Sequence, residues 1–294
     1  ILITMGEIEE DALQDTMVLG ELGLDGEVKG IRGVLPIVRK AAEKGCRSCI
    51  LPAENAREGA VIQNIRIIGV RSLQEAIAYL TAPQEERDTM IRPTKVSLSE
   101  IFMEKETAEV LDFADISGQA AAKRAVEIAA AGFHHVLMAG PPGSGKSMIA
   151  KRVPTILPPL SVPESLEVSA IYSVAGLLKP GEALVTQRPF LSPHHSITET
   201  ALTGGGRIPQ PGMISLAHRG VLFLDEMAEF RRSTLDLLRQ PLEDRMVHIA
   251  RNGGTFSYPS DFMLVGALNP CPCGYYPDRN RCRCSEKEIA RYLG

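Results

Sequence analysis

The stretch Gly140-Pro141-Pro142-Gly143-Ser144-Gly145-Lys146-Ser147 constrains this chain more than any other, because it satisfies G-x-x-x-x-G-K-[ST] directly behind the apolar run Val136 to Ala139. In such a loop the glycines let consecutive backbone N–H groups turn inward around phosphates, while the lysine reaches the β and γ oxygens and the hydroxyl ligates Mg²⁺. The helix behind the loop adds its positive dipole end. The motif needs a strand before it and a helix after it. Phe133 to Ala139 predicts a buried strand, and Lys146 to Val153 predicts a helix ended by Pro154. Gly140 through Met148 is therefore the candidate site for ATP, with Lys146 on its phosphates and Ser147 on Mg²⁺.

Two further apolar runs complete an α/β pattern. Val221-Leu-Phe-Leu224 reads as a central parallel strand covered on both faces and ends in Asp225-Glu226. Ligands bind at the carboxyl ends of such strands. Asp225 is placed in the Mg²⁺ shell, and Glu226 as the general base that polarises the attacking water. Phe262 to Leu268 is the third run, and Asn269 at its end is positioned to orient that water beside the γ-phosphate.

Composition narrows the partners. A net charge of −4 supplies no global attraction for nucleic acid, so any such contact is local. The chain has no apolar run of the roughly 18 residues that a membrane helix needs, and no secretory leader. That predicts a cytoplasmic protein without a membrane partner. Its six cysteines then serve as thiols or metal ligands rather than disulfides. Cys46-x-x-Cys49 falls between the first helix and its next strand, half of it in an expected buried strand, and reads as structural, with a redox or metal role as the alternative. Cys271, Cys273, Cys282 and Cys284 form two C-x-C pairs, and four thiolates suit tetrahedral Zn²⁺. The competing reading is a loop of free thiols beside the nucleotide site. Arg279, Arg281, Arg283, Lys287 and Arg291 make the same segment basic, for DNA phosphates or simply for solvent.

Along the chain, residues 1–82 predict a compact α/β unit. It has a helix at 34–42 closed by Gly45, strands at 47–51 and 65–70, and a capping box Ser72-Leu-Gln-Glu75 opening a helix to Leu80. Residues 83–112 are charged, lack a clear apolar period, and predict a linker. Residues 113–294 carry the nucleotide site. Within them 187–211, with His194, His195 and Arg207, reads as a surface loop or as an insertion facing a substrate, and 245–258, with Arg251, reads as a hairpin insertion and a second candidate.

Particular motifs carry two resemblances. Gly20-Glu-Leu-Gly-Leu-Asp-Gly26 and Ile50-Leu-Pro-Ala-Glu-Asn55 resemble the end of a Lon-type proteolytic domain. Its Ser/Lys dyad is not matched, since no serine precedes Ser48 and the lysine position falls near Ile37. The implied unit is degenerate or truncated, without covalent catalysis. The order phosphate loop, Asp-Glu strand and Asn-ended strand resembles AAA+ ATPases, in which Asn269 corresponds to a sensor. Arg188-Pro-Phe-Leu-Ser-Pro-His-His195, Gly204-Gly-Gly206, Ser215-Leu-Ala-His218, Leu238-Arg-Gln-Pro-Leu-Glu243 and Asn269-Pro-Cys-Pro-Cys-Gly274 resemble the magnesium-chelatase-like ComM/YifB family. The resemblance implies an ATP-driven hexameric ring that acts as a DNA branch-migration helicase on branched or single-stranded DNA. Met213 stands where that family suggests glutamate, and Arg219 where it suggests asparagine. The chain reads as a fragment, with the lid, arginine finger and second sensor expected beyond Gly294. A metal-insertion ATPase like the small chelatase subunit and a Lon-related protease are the alternatives.

Overall fold

The computed structural model describes residues 2–103, 111–179, 181–251 and 254–294. They are mixed α/β, and they divide into two compact units. One comprises Ile1–Thr107 with Val162–Thr186; the other comprises Ala108–Ser161 with Gln187–Gly294.

The first unit is built on β1 (Thr16–Val18), the small ribbon β2 (Glu21–Leu22) with β3 (Val28–Lys29), α1 (Val34–Glu43), β4 (Ser48–Pro52), α2 (Ala56–Gly59), β5 (Arg66–Val70) and α3 (Leu73–Thr81). Its parallel sheet runs β1-β4-β5, with Thr16 opposite Ser48 and Cys49 opposite Ile67. Successive side chains of a strand point to opposite faces. Accordingly Cys49 and Leu51 join Val34, Val38 and Ala56 in one cluster, while Ile50 joins Ala76, Tyr79 and Leu80 in another. Ser72 caps α3 by accepting from Glu75 N–H, but the Glu75 carboxylate accepts from Arg71 N–H, so the expected box closes one residue early.

Residues 83–112, expected as a linker, carry helical structure. They form α4 (Gln84–Met90) and α5 (Leu98–Met103), and residues 104–110 lie outside those described. No residue of α4 is buried, which explains its missing apolar period. Its Arg87 instead donates to Leu80 O at 2.7 Å and Ala82 O at 3.0 Å, satisfying carbonyls that the end of α3 leaves free.

The second unit opens with α6 (Ala120–Gly132), β6 (Val136–Ala139) and α7 (Lys146–Ile156). Here two expectations are corrected. Phe133 is left-handed (φ 52°) and closes α6, so the strand starts three residues later. That strand sits at an edge of the described sheet, with Leu137 60% exposed, not buried. Pro154 does not end α7, because two more residues follow it and fully buried Val153 holds the turn against the core. The next helix, α8 (Val162–Ala175), belongs to the first unit. There Glu58, buried, accepts from Leu35 N–H at 2.9 Å, from Asn55 Nδ2 at 3.0 Å and from the Ser173 hydroxyl. Glu58→Ala strands all three donors and is expected to cost about 2–3 kcal/mol, read as a lower urea midpoint. A loss below about 0.5 kcal/mol, the scatter of surface substitutions, would contradict this account.

The remaining elements are β7 (Phe190–Leu191), α9 (Glu199–Thr203), β8 (Gly204–Gly205), β9 (Gln210–Pro211), α10 (Met213–Leu216), β10 (Val221–Leu224), α11 (Arg232–Asp236), α12 (Arg239–Asp244), β11 (Met246–Arg251), β12 (Gly254–Pro259), β13 (Met263–Leu268) and α13 (Glu286–Leu293). The central sheet is parallel throughout, in the order β6-β13-β10-β7. All four residues of β10 are buried, as its unbroken apolar sequence requires. Val221 and Phe223 face α6 and α7; Leu222 and Leu224 face the short helices and β11. Among the described residues no helix is long and apolar enough to cross a membrane.

Candidate nucleotide site

The loop between β6 and α7 curls because Gly143 (φ 75°) and Gly145 (φ 85°) take left-handed conformations that a side chain disfavours. It borders a cleft of about 380 Å³ lined by residues 142–148, Asp225, Glu226 and Asn269. The ends of β6, β10 and β13 thus bring together every nucleotide-site residue expected from the sequence, with Gly140 and Pro141 forming the loop's entry.

The side chains in this cleft are mutually engaged. Lys146 Nζ donates to Gly140 O at 2.7 Å, Pro141 O at 3.0 Å and Asn269 Oδ1 at 3.2 Å. Burial pushes its pKa down, and the nearby Asp225 carboxylate opposes that. The ammonium is thus surrounded by oxygens in the way phosphate oxygens would surround it. Ser147 Oγ donates to Asp225 Oδ2 at 2.7 Å. Two neighbouring ligands of octahedral Mg²⁺, at about 2.05 Å each, stand about 2.9 Å apart, so this pair fits the ion. Ser144 Oγ is buried with no partner among the described residues, a polar atom left over inside the loop.

Glu226 follows the strand in a left-handed conformation (φ 51°, ψ 46°), and its N–H donates to Asp225 Oδ1 at 3.0 Å. The reversal lets two consecutive carboxylates line the same cleft, where alternation along a strand would send them to opposite faces.

Two participants carry no motif. Gln119 Nε2 donates to Ser144 O at 3.2 Å from the start of α6. Tyr292, on α13, lies beside Asn269, Glu229 and Glu226; burial raises its pKa, reinforced by the two carboxylates and opposed by the Asn269 side chain. The only sequence signal for its placement is the Ser285 to Glu288 capping box, which forms and starts α13.

The four late cysteines converge. Their sulfurs lie within 4.8 Å of one another, with Cys271 to Cys273 at 3.3 Å and Cys271 to Cys282 at 3.7 Å. Tetrahedral Zn²⁺ with bonds of about 2.3 Å sets its sulfurs about 3.8 Å apart, so the donor set fits that ion. Cys49, by contrast, is fully buried, and burial pushes its thiol up to about 12, as a structural cysteine behaves.

The two glycine-rich or basic tracts meet. β8 pairs antiparallel with β9, and β11 with β12 in six-residue register from Met246–Pro259 to Arg251–Gly254. Tyr258 Oη donates to Pro209 O at 3.0 Å and ties the two ribbons together. Arg207 and Ile208 are exposed at the tip of the first; residues 252–253 and the Arg251 side chain lie outside the described part of the second. Exposed His194 lies against His195 with ring centres 4.1 Å apart and planes tilted by 38°, and His195 meets Phe230 edge-on. Met213 packs into the core, and Arg219 pairs with Asp261 at 2.9 Å. The structure therefore turns both of these departures toward the protein's own interior contacts.

A family model described as magnesium chelatase, subunit ChlI, matches residues 112–294, and a second, subunit ChlI of Mg-chelatase, matches residues 1–55. The chain is 45% identical over 285 residues to an uncharacterised protein of Mycobacterium tuberculosis, covering 97% of this chain and 54% of that one. It is 41% identical to YifB of Salmonella typhimurium, covering 100% and 55%, and 40% identical to the competence protein ComM of Haemophilus influenzae, covering 100% and 56%. It therefore spans about half the length of these relatives. A solved complex of the BchI and BchD subunits of magnesium chelatase aligns with a TM-score of 0.46 at 24% identity, covering 63% of this chain and 67% of that one.

Proposed function

The chain belongs to the magnesium-chelatase-like AAA+ family that includes YifB and ComM, and from that premise we propose that it is the ATP-hydrolysing core of a hexameric ring that moves branched or single-stranded DNA. The observation that carries the ATPase reading is the convergence of Lys146, Ser147, Asp225, Glu226 and Asn269 on one cleft.

In this reading ATP with Mg²⁺ supplies the phosphoryl group and neutralises its developing charge. Lys146 exchanges its carbonyl partners for phosphate oxygens. Ser147 and Asp225 would hold the Mg²⁺ in place of their mutual hydrogen bond. Glu226 accepts the proton of the attacking water, and Asn269 orients that water. Zn²⁺ on Cys271, Cys273, Cys282 and Cys284 is the second metal of the proposal, structural rather than catalytic.

The DNA reading draws on the competence-protein relative and on the paired ribbons that present Arg207 to solvent. With a net charge of −4, affinity must come from a few local contacts. Arg207→Ala is expected to reduce the slope of log affinity against log salt by about 0.7 to 0.9 for each phosphate that the arginine neutralises, with nucleotide affinity unchanged. An unchanged slope would remove Arg207 from the interface. The function as a whole is tested by strand exchange on a synthetic four-way junction, run with the full-length protein beside a metal-insertion assay with protoporphyrin and Mg²⁺. ATP-dependent junction processing is expected. Metal insertion without junction processing would replace this reading with the chelatase one.

A further inference from the structure

We infer that the four-cysteine zinc site is a brace for the nucleotide site, so that zinc occupancy sets ATP affinity; this rests on the ATPase reading above. Residues 269–294 leave the sheet at Asn269 and pack around a very small core. Its buried members are Cys271, Cys282 and Ile289, with Cys273, Tyr275 and Cys284 half-buried against them. Most of the apolar material there is cysteine. So few apolar side chains cannot hold a segment against its own conformational entropy, and small folds of this kind depend on a metal or a covalent link. The cysteines are free thiols, and their sulfurs cluster at separations that suit one tetrahedral ion. A zinc ion therefore supplies what hydrophobic burial does not.

This small fold touches the nucleotide site at three points. Cys271 lies two residues from Asn269, whose Oδ1 accepts from Lys146 Nζ. Gly274, whose N–H donates to Cys271 O at 2.9 Å, is seated on the Pro142 ring of the phosphate loop. It has φ 83°, and a Cβ added there would run into that ring. Finally, Cys284 runs into the capped start of α13, which carries Tyr292 back to the Asn269 side chain. One wall of the cleft and the sensor side chain are thus held by residues on both sides of the cysteine cluster. Releasing the metal frees Gly274, Asn269 and Tyr292 together. By linkage the effect is reciprocal: nucleotide binding must tighten zinc by the same factor.

The test uses the chain purified without chelator, with metal measured by elemental analysis and nucleotide affinity by titration of a fluorescent ATP analogue. One Zn²⁺ per chain is expected. Its removal by a strong chelator is expected to weaken nucleotide binding by about 5- to 150-fold, the usual range of coupling between linked sites, and Zn²⁺ is expected to restore it. Because a metal-free tail could simply unfold, Gly274→Ala serves as the second probe. It keeps all four ligands, so it should retain zinc while losing nucleotide affinity. Four titratable thiols and no metal would overturn the zinc site. Bound zinc with nucleotide affinity unchanged after its removal and unchanged in Gly274→Ala would overturn the brace. A zinc-loaded wild-type chain that binds no nucleotide would overturn the ATPase reading itself and the brace with it, and the metal analysis separates that case from the first.

Discussion

Glu226→Gln in the full-length protein is expected to bind ATP as tightly as the parent and to turn it over about 10²- to 10⁴-fold more slowly, the usual contribution of a positioned general base. The substitution preserves shape and removes only the ability to take a proton. Glu226 lines the cleft beside Asp225, and no metal, lysine or loop contact depends on its charge among the described hydrogen bonds. Binding should therefore survive while hydrolysis does not. Single-turnover rates alongside equilibrium titration separate the two. A turnover within a few-fold of the parent would show that another group activates the water.

Removing the lysine should have the opposite signature. Lys146→Ala leaves Gly140 O, Pro141 O and Asn269 Oδ1 without this donor and the bound phosphates without their nearest cation. Hydrogen bonds to charged groups contribute about 1.5–3 kcal/mol each. Loss of one such net interaction predicts nucleotide affinity about 10- to 100-fold weaker. Affinity within twofold of the parent would mean that the loop backbone alone holds the phosphates.

The parts of the site legible in the sequence are those whose chemistry is local. The phosphate loop must lie between a strand and a helix, and the carboxylates and Asn269 must follow unbroken apolar runs, so their convergence could be read from the chain itself. What escaped depends on contacts between distant residues. Tyr292 reaches Asn269 from a helix whose sequence advertises only its cap. Tyr258 meets Pro209 across 49 residues, so sequence marked both tracts as candidate insertions without joining them. α8 lies between two pieces of the second unit in sequence but packs with α1 of the first, and its Ser173 completes the hydrogen bonding of Glu58. α4 shows no apolar period because it contributes an arginine to the end of α3, not a buried face. The Cys271 to Cys284 spacing pointed to zinc chemistry, but nothing in it showed that Gly274 would rest on Pro142.

The left-handed backbone at Glu226 has an evolutionary consequence. A non-glycine residue held there costs about 1–2 kcal/mol, and glycine or asparagine would relieve most of it. A laboratory selection for heat resistance alone, blind to activity, would push this codon away from glutamate and, under the proposed general-base role, return a sturdier but inert protein. Under the general-base role proposed for Glu226, thermostabilising design on this scaffold should therefore hold position 226 fixed.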